Sequence, residues 1–144
     1  MEIGIKDSQR KITINKKDTT ELAKQILRIK GKSSAELSIL FAGKARIRAL
    51  NKKFRKIDRP TDVLTFSQNV EEKGLCLHPE ILGDVVICPE IAQGEIYLCL
   101  VHGILHLLGY DDSNAKNRSL IKREQTRILK KIKKDEKTKH CPEL

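Results

Sequence analysis

Val101-His102-Gly103-Ile104-Leu105-His106-Leu107-Leu108-Gly109-Tyr110-Asp111-Asp112 is the stretch on which the reading of this chain turns. From about Glu95 to Leu108 the sequence is apolar nearly all round, the mark of a buried helix. Gly109 ends it, because glycine takes a positive φ without steric cost and lets the backbone turn sharply. His102 and His106 stand one helical turn apart, so both imidazoles project from one face.

The flanking segments supply what such a helix packs on. Leu82 to Cys88 reads as a strand stopped by Pro89, and Asp62 to Phe66 as another that follows Pro60. With the loop Ser67 to Pro79 between them, the two suggest a hairpin. Residues 44–54 have helical spacing, with Ile47, Leu50 and Phe54 on one face and Arg46, Arg48, Lys52 and Lys53 on the wet side. Leu37, Ile39 and Phe41 alternate in a strand that ends before Gly43. Lys11-Ile12-Thr13-Ile14 alternates and reads as the first strand. Asp18-Thr19-Thr20-Glu21 is a capping box that opens a helix with Leu22, Ala23, Ile26 and Leu27 inside and Gly31 as its stop. A last helix, about Asn114 to Lys134, repeats Ile121, Ile128 and Ile132. The order β-α-β-α-β-β-α-α predicts an α+β fold. It is a single domain over residues 1–144, a small mixed β-sheet with packed helices, closed by a basic tail at about 135–144.

Composition agrees. A chain of 144 residues with 39% apolar and 33% charged side chains buries enough surface for its own core and is not a disordered one. The longest apolar run, Ile96 to Val101, is too short to span a membrane, and the first residues hold no apolar signal segment. The expected location is cytoplasmic. Cys76, Cys88, Cys99 and Cys141 form no paired CxxC spacing, so they read as reduced, incidental thiols. Charge is divided: residues 1–60 carry 17 Lys/Arg and 6 Asp/Glu, residues 61–112 one Lys and 9 acids, residues 113–144 11 Lys/Arg and 4 acids. Two basic flanks suit a polyanion, nucleic acid first, although a charge run is also an ordinary solvated face. The acidic centre suits a cation.

The pattern is His-x3-His-x2-Gly-x2-Asp. Two histidines and a carboxylate hold one metal ion and leave a fourth tetrahedral position open, the layout of a catalytic zinc. Asp111 competes with Asp112 for the third place. Asp112 has the ten-residue offset from His102 found in metzincin-type sites, which makes the helix a metzincin-like metal-binding helix and leaves Asp111 as a turn or supporting residue. Zinc proteases of this layout carry Glu directly after the first histidine, as general base. Here that position is Gly103, which disfavours a peptidase. A metal can instead polarise a phosphoryl oxygen, and a phosphodiester is what the basic flanks attract.

Three stretches carry a family resemblance: Leu50 to Phe66, with its Arg55-Lys56-Ile57-Asp58-Arg59-Pro60-Thr61-Asp62-Val63-Leu64-Thr65-Phe66; Leu82 to Cys88; and His102 to Asp112. Across roughly residues 37–130 the chain resembles the YbeY family of bacterial endoribonucleases, or rRNA maturation factors. The resemblance implies a zinc-dependent endoribonuclease that acts on single-stranded RNA, with ribosomal RNA and the small ribosomal subunit as partners. It implies a part in 3′-end maturation of small-subunit rRNA and in ribosome quality control. It makes His102 and His106 ligands of one Zn2+ and gives Arg55 a catalytic part in RNA cleavage. The family usually has histidine where this chain has Asp112. Aspartate ligates zinc at a similar distance but makes the metal a weaker Lewis acid.

Two readings compete with the nuclease. One is a non-catalytic RNA-binding assembly factor with a structural metal, and the other is the disfavoured zinc peptidase. Read without the resemblance, Arg55 is a surface arginine pairing with Asp58; Lys52, Lys53, Lys56 and Arg59 around it suit phosphate contact. Asp62 and Asp84 orient ligands or cap backbone amides. His78 and His140 read as incidental.

Overall fold

Leu82, Val85, Val86 and Ile87 follow one another with little polar interruption, and all four are buried. A strand with both faces covered reads this way. In the computed structural model it is the centre of the molecule. The structure describes residues 1–68, 71–72, 75–76 and 80–139, with side chains described outside 69–79 and as far as Ile132. The chain runs β1 (Glu2–Asp7), α1 (Lys16–Ile29), β2 (Glu36–Phe41), α2 (Lys44–Arg55), β3 (Val63–Ser67), β4 (Glu71–Glu72), β5 (Leu75–Cys76), β6 (Ile81–Ile87), α3 (Pro89–Ala92), one 3-10 turn, α4 (Ile96–Leu107) and α5 (Ala115–Lys139).

The main sheet has the order β1-β2-β6-β3. β1 pairs with β2 and β2 with β6 in parallel; β3 closes the sheet antiparallel to β6, with Thr65 opposite Val85. The expected hairpin is therefore present. The loop between its strands carries the small β4–β5 ladder. Side chains alternate across the sheet. Leu37, Ile39, Phe41, Val85 and Ile87 face the larger core, which α1, α4 and α5 close. Leu40, Val86 and Cys88 belong to a second cluster with Ile47 and Leu50 of α2. The α+β architecture is thus three layers, with α2 alone on one side.

Several local expectations are corrected. The first strand is Glu2–Asp7, not Lys11–Ile14. Ile12 stays 39% exposed, and the Gln9 side chain takes over its backbone, donating to Ile12 O at 2.8 Å and accepting from Ile12 N at 3.0 Å. Alternation without a buried face makes no strand. α1 begins one turn before the expected cap: the Asn15 side chain accepts from the Asp18 N–H at 3.0 Å, so Asp18 lies in the first turn, where its charge suits the helix dipole. Phe54 is 56% exposed and packs edge-on to Phe66 instead of entering the core. α5 continues to Lys139, so residues 135–139 are helix and not tail; residues 140–144 lie outside the described residues. No helix among the described residues is long and apolar enough to cross a membrane.

Candidate metal centre and its cleft

From Cys99 to Leu107 every residue of α4 is buried except His102 and His106. The helix is wedged between the sheet, α1 and α5, and the two imidazoles occupy its open stripe. Their Nε2 atoms lie 2.8 Å apart. Gly103 explains how closely the helix seats. A Cβ there would stand 2.7 Å from Val85 Cγ1 and 3.4 Å from Thr65 Cγ2, the pair that face each other across β6 and β3. The position after the first histidine therefore points into the sheet. A glutamate at 103 has no room against Val85 and Thr65. This strengthens the case against a peptidase beyond the missing base.

The turn after α4 brings the third group. Gly109 sits at φ +104; its N–H donates to His106 O at 3.1 Å, and the Tyr110 N–H donates to Leu105 O at 3.0 Å. These are the paired bonds of a Schellman stop. Lys30, which caps the end of α1, pins the turn, donating to the Tyr110 hydroxyl at 2.7 Å and pairing with Glu124 of α5 at 3.2 Å. Asp112 then lies with Oδ2 3.9 Å from His106 Nε2. Asp111 turns the other way. Its Oδ1 accepts from the Ser113 hydroxyl, the Ser113 N–H and Asn117 Nδ2 at 2.8, 3.1 and 2.7 Å, bonds that hold its carboxyl below the usual carboxylate range. It ties the start of α5 together.

His102, His106 and Asp112 offer ligand atoms that all lie within 4.8 Å of one another. A tetrahedral zinc with bonds of about 2.0–2.2 Å needs ligand atoms about 3.4 Å apart. The observed 2.8 and 3.9 Å bracket that edge, so the donor set is compatible with a metal site. Burial and the neighbouring His106 hold His102 below the ordinary histidine value, against the opposing pull of Asp112 and Asp62. The neutral ring this favours is the form that ligates metal.

The three groups line a cleft of about 490 Å³ together with Arg55, Thr61 and Asp62. Arg55 ends α2, just before Lys56 takes the left-handed conformation at φ 62 and closes the helix. Asp58 is not its partner: Arg48 holds that carboxylate at 2.8 Å and Lys52 approaches it at 3.9 Å. Asp62 Oδ1 caps the Val63 N–H at 2.8 Å, while its Oδ2 faces the Cys99 thiol at 3.7 Å. Burial, and then that carboxylate, push the thiol up to about 12. Asp84 bonds Gln68 at 3.1 Å and lines a different hollow, beside β1 and β2. Cys88 and Cys99 are buried free thiols; the side chains of Cys76, His78, His140 and Cys141 lie outside those described. Sequence reading missed Gln125, whose amide meets His102 Nδ1. Its trace was there: a polar residue one turn from Ile121, on the apolar stripe of the last helix.

Fold and site together define a small α+β protein with a two-histidine, one-aspartate cluster open to a cleft, a layout suited to metal-dependent hydrolysis. The family model for endoribonuclease YbeY matches residues 4–133. Endoribonuclease YbeY of Pelotomaculum thermopropionicum is 33% identical, over 92% of this chain and 97% of its own. That of Geobacter metallireducens is 33% identical over 91% and 97%, and that of Syntrophomonas wolfei 36% identical over 73% and 78%. A solution structure of a Thermotoga maritima protein superposes with a TM-score of 0.58, at 26% identity over 96% of this chain and 93% of that one. The chain belongs to the endoribonuclease YbeY family, and that membership makes it an enzyme of the hydrolase class.

Proposed function

We propose that the chain, acting as one domain over residues 1–144, is a zinc-dependent endoribonuclease for single-stranded RNA. One observation carries the reading: His102, His106 and Asp112 converge on a cleft whose wall includes Arg55. In this reading the first three hold the zinc, and Arg55 is the catalytic residue among the cleft's own side chains. When bound, the ion supplies Lewis acidity toward a phosphoryl oxygen. Arg55 offers a planar fork to the same phosphate and stabilises charge that grows as the phosphodiester is cut. Lys44, Arg46, Lys52 and Lys53 of α2 are exposed and suit the flanking phosphates, which fix register without reading sequence. A single strand, whose bases and backbone splay apart, can follow a cleft lined by Arg55, Thr61 and the histidines.

Family membership supports ribosomal RNA as the substrate. The finer reading is 3′-end maturation and quality control of the small subunit, in the cytoplasm where that subunit is built. The test is cleavage of a single-stranded RNA spanning that 3′ end, and of the same RNA as a duplex, before and after chelation. Cleavage of the single strand alone, lost with the metal and regained with zinc, is the expected result. RNA bound but never cut by the metal-loaded protein overturns the nuclease and leaves a non-catalytic assembly factor.

A further inference from the structure

Gln125 falls on the inward stripe of α5, one turn after the buried Ile121 and just before the buried Ile128. The apolar chemistry of the stripe breaks there, and the break meets His102. Both ring nitrogens of that histidine have defined neighbours. Nε2 faces His106 Nε2 at 2.8 Å, and Nδ1 faces the amide nitrogen of Gln125. Gln125 and His102 also share the wall of a hollow of about 310 Å³ with Asp62 and Cys99, next to the main cleft.

The two nitrogens of one imidazole are coupled. A ring that gives its Nε2 lone pair to a metal keeps its proton on Nδ1, and that N–H needs an acceptor. The Gln125 amide, on a helix that packs against α4, presents its NH2 to Nδ1, and a half-turn about its last bond presents its oxygen there in the same space. We infer that Gln125 is a positioning residue for the metal site: with its amide turned to present the oxygen, it holds His102 in the Nδ1-protonated tautomer and fixes the plane of the ring, and so the aim of Nε2. This rests on the metal reading of His102, His106 and Asp112. Glutamine differs from the carboxylate common at such positions in lacking charge. The site already contains one anion in Asp112, and a neutral acceptor leaves the metal's charge less quenched.

The experiment uses the full chain loaded with zinc. Competition against a chromophoric chelator gives the zinc Kd of wild type, Gln125→Leu and Gln125→Glu, while thermal melts follow the fold. Nitrogen-15 spectra of the histidines report which ring nitrogen carries the proton. Gln125→Leu removes the acceptor at similar volume and should weaken zinc binding by roughly 10–100-fold. Gln125→Glu keeps an acceptor, and should bind zinc at least as tightly as wild type with His102 still protonated on Nδ1. Wild type that binds zinc, with Gln125→Leu within twofold of it, overturns this inference and leaves the metal site standing. Wild type that takes up no zinc overturns both. Should Gln125→Leu fail to fold, a Gln125→Glu variant that binds zinc tenfold more weakly than wild type overturns the inference by itself.

Discussion

α4 and α2 approach the cleft from opposite faces of one sheet, and they contribute in different ways. α4 is buried on every side but one, so its histidines stand on a helix that cannot shift without moving the core. α2 is the outer layer: Ile47 and Asn51 are its buried residues, and its cationic side chains are exposed. Rigid burial suits metal ligands, which need their donor atoms held to fractions of an ångström. Exposed charge suits a long flexible polyanion, which needs many weak contacts and tolerates imprecision. Arg55 stands between these regimes, on the outer helix but at the end that reaches the cleft.

The sharpest way to break this comparison is to remove a ligand from the rigid side. His102→Ala or His106→Ala should drop bound zinc from about one equivalent to near none by elemental analysis, and RNA cleavage with it. Unchanged metal content in both variants ends the metal reading. On the outer side, Arg55→Ala should slow single-turnover cleavage by roughly 10²–10³-fold while RNA affinity changes far less. Arg55→Lys should recover only part, for want of the planar fork. Equal losses in rate and affinity reduce Arg55 to one more phosphate contact.

The next test divides two neighbouring carboxylates. Asp112→Ala removes a donor atom and should weaken zinc binding by more than the roughly 10–100-fold that loss of a supporting residue costs, whereas Asp111→Ala should leave it within a few fold. The reverse order in a chelator titration reassigns the ligand. The smallest effect tests the seat of α4. Gly103→Ala pushes a methyl against the fully buried Val85 and should destabilise the fold by about 1–3 kcal/mol in urea unfolding. An unchanged midpoint means that the helix has more room than its packing indicates.

Much of this was legible because it is local. Apolar patterning located α1, α2, β2, β3, β6, α4 and α5, and the spacing of His102 and His106 puts both rings on one helix face, while Asp112 still had Asp111 as a competitor for the third place. The N-terminal strand was not legible in the same way. Glu2–Asp7 and Lys11–Ile14 both alternate, and only pairing with β2 separates a strand from a loop that Gln9 holds by its side chain. Arg55 and Asp58 are close in sequence and opposite in charge, yet the turn at Lys56 gives Asp58 to Arg48 and leaves Arg55 at the cleft.

The sequence by itself determined the α+β order of elements, the buried helix and the grouping of His102, His106 and Asp112, because each depends on side-chain periodicity or on a backbone turn within a dozen residues. Only the tertiary structure decided that Gly103 is a seat on Val85 and Thr65, that Arg55 shares a cleft with the histidines, and that Gln125 meets His102 from 23 residues away. Those relations join elements distant along the chain, and the packing of α4 between sheet and helices sets them. No local propensity encodes that packing.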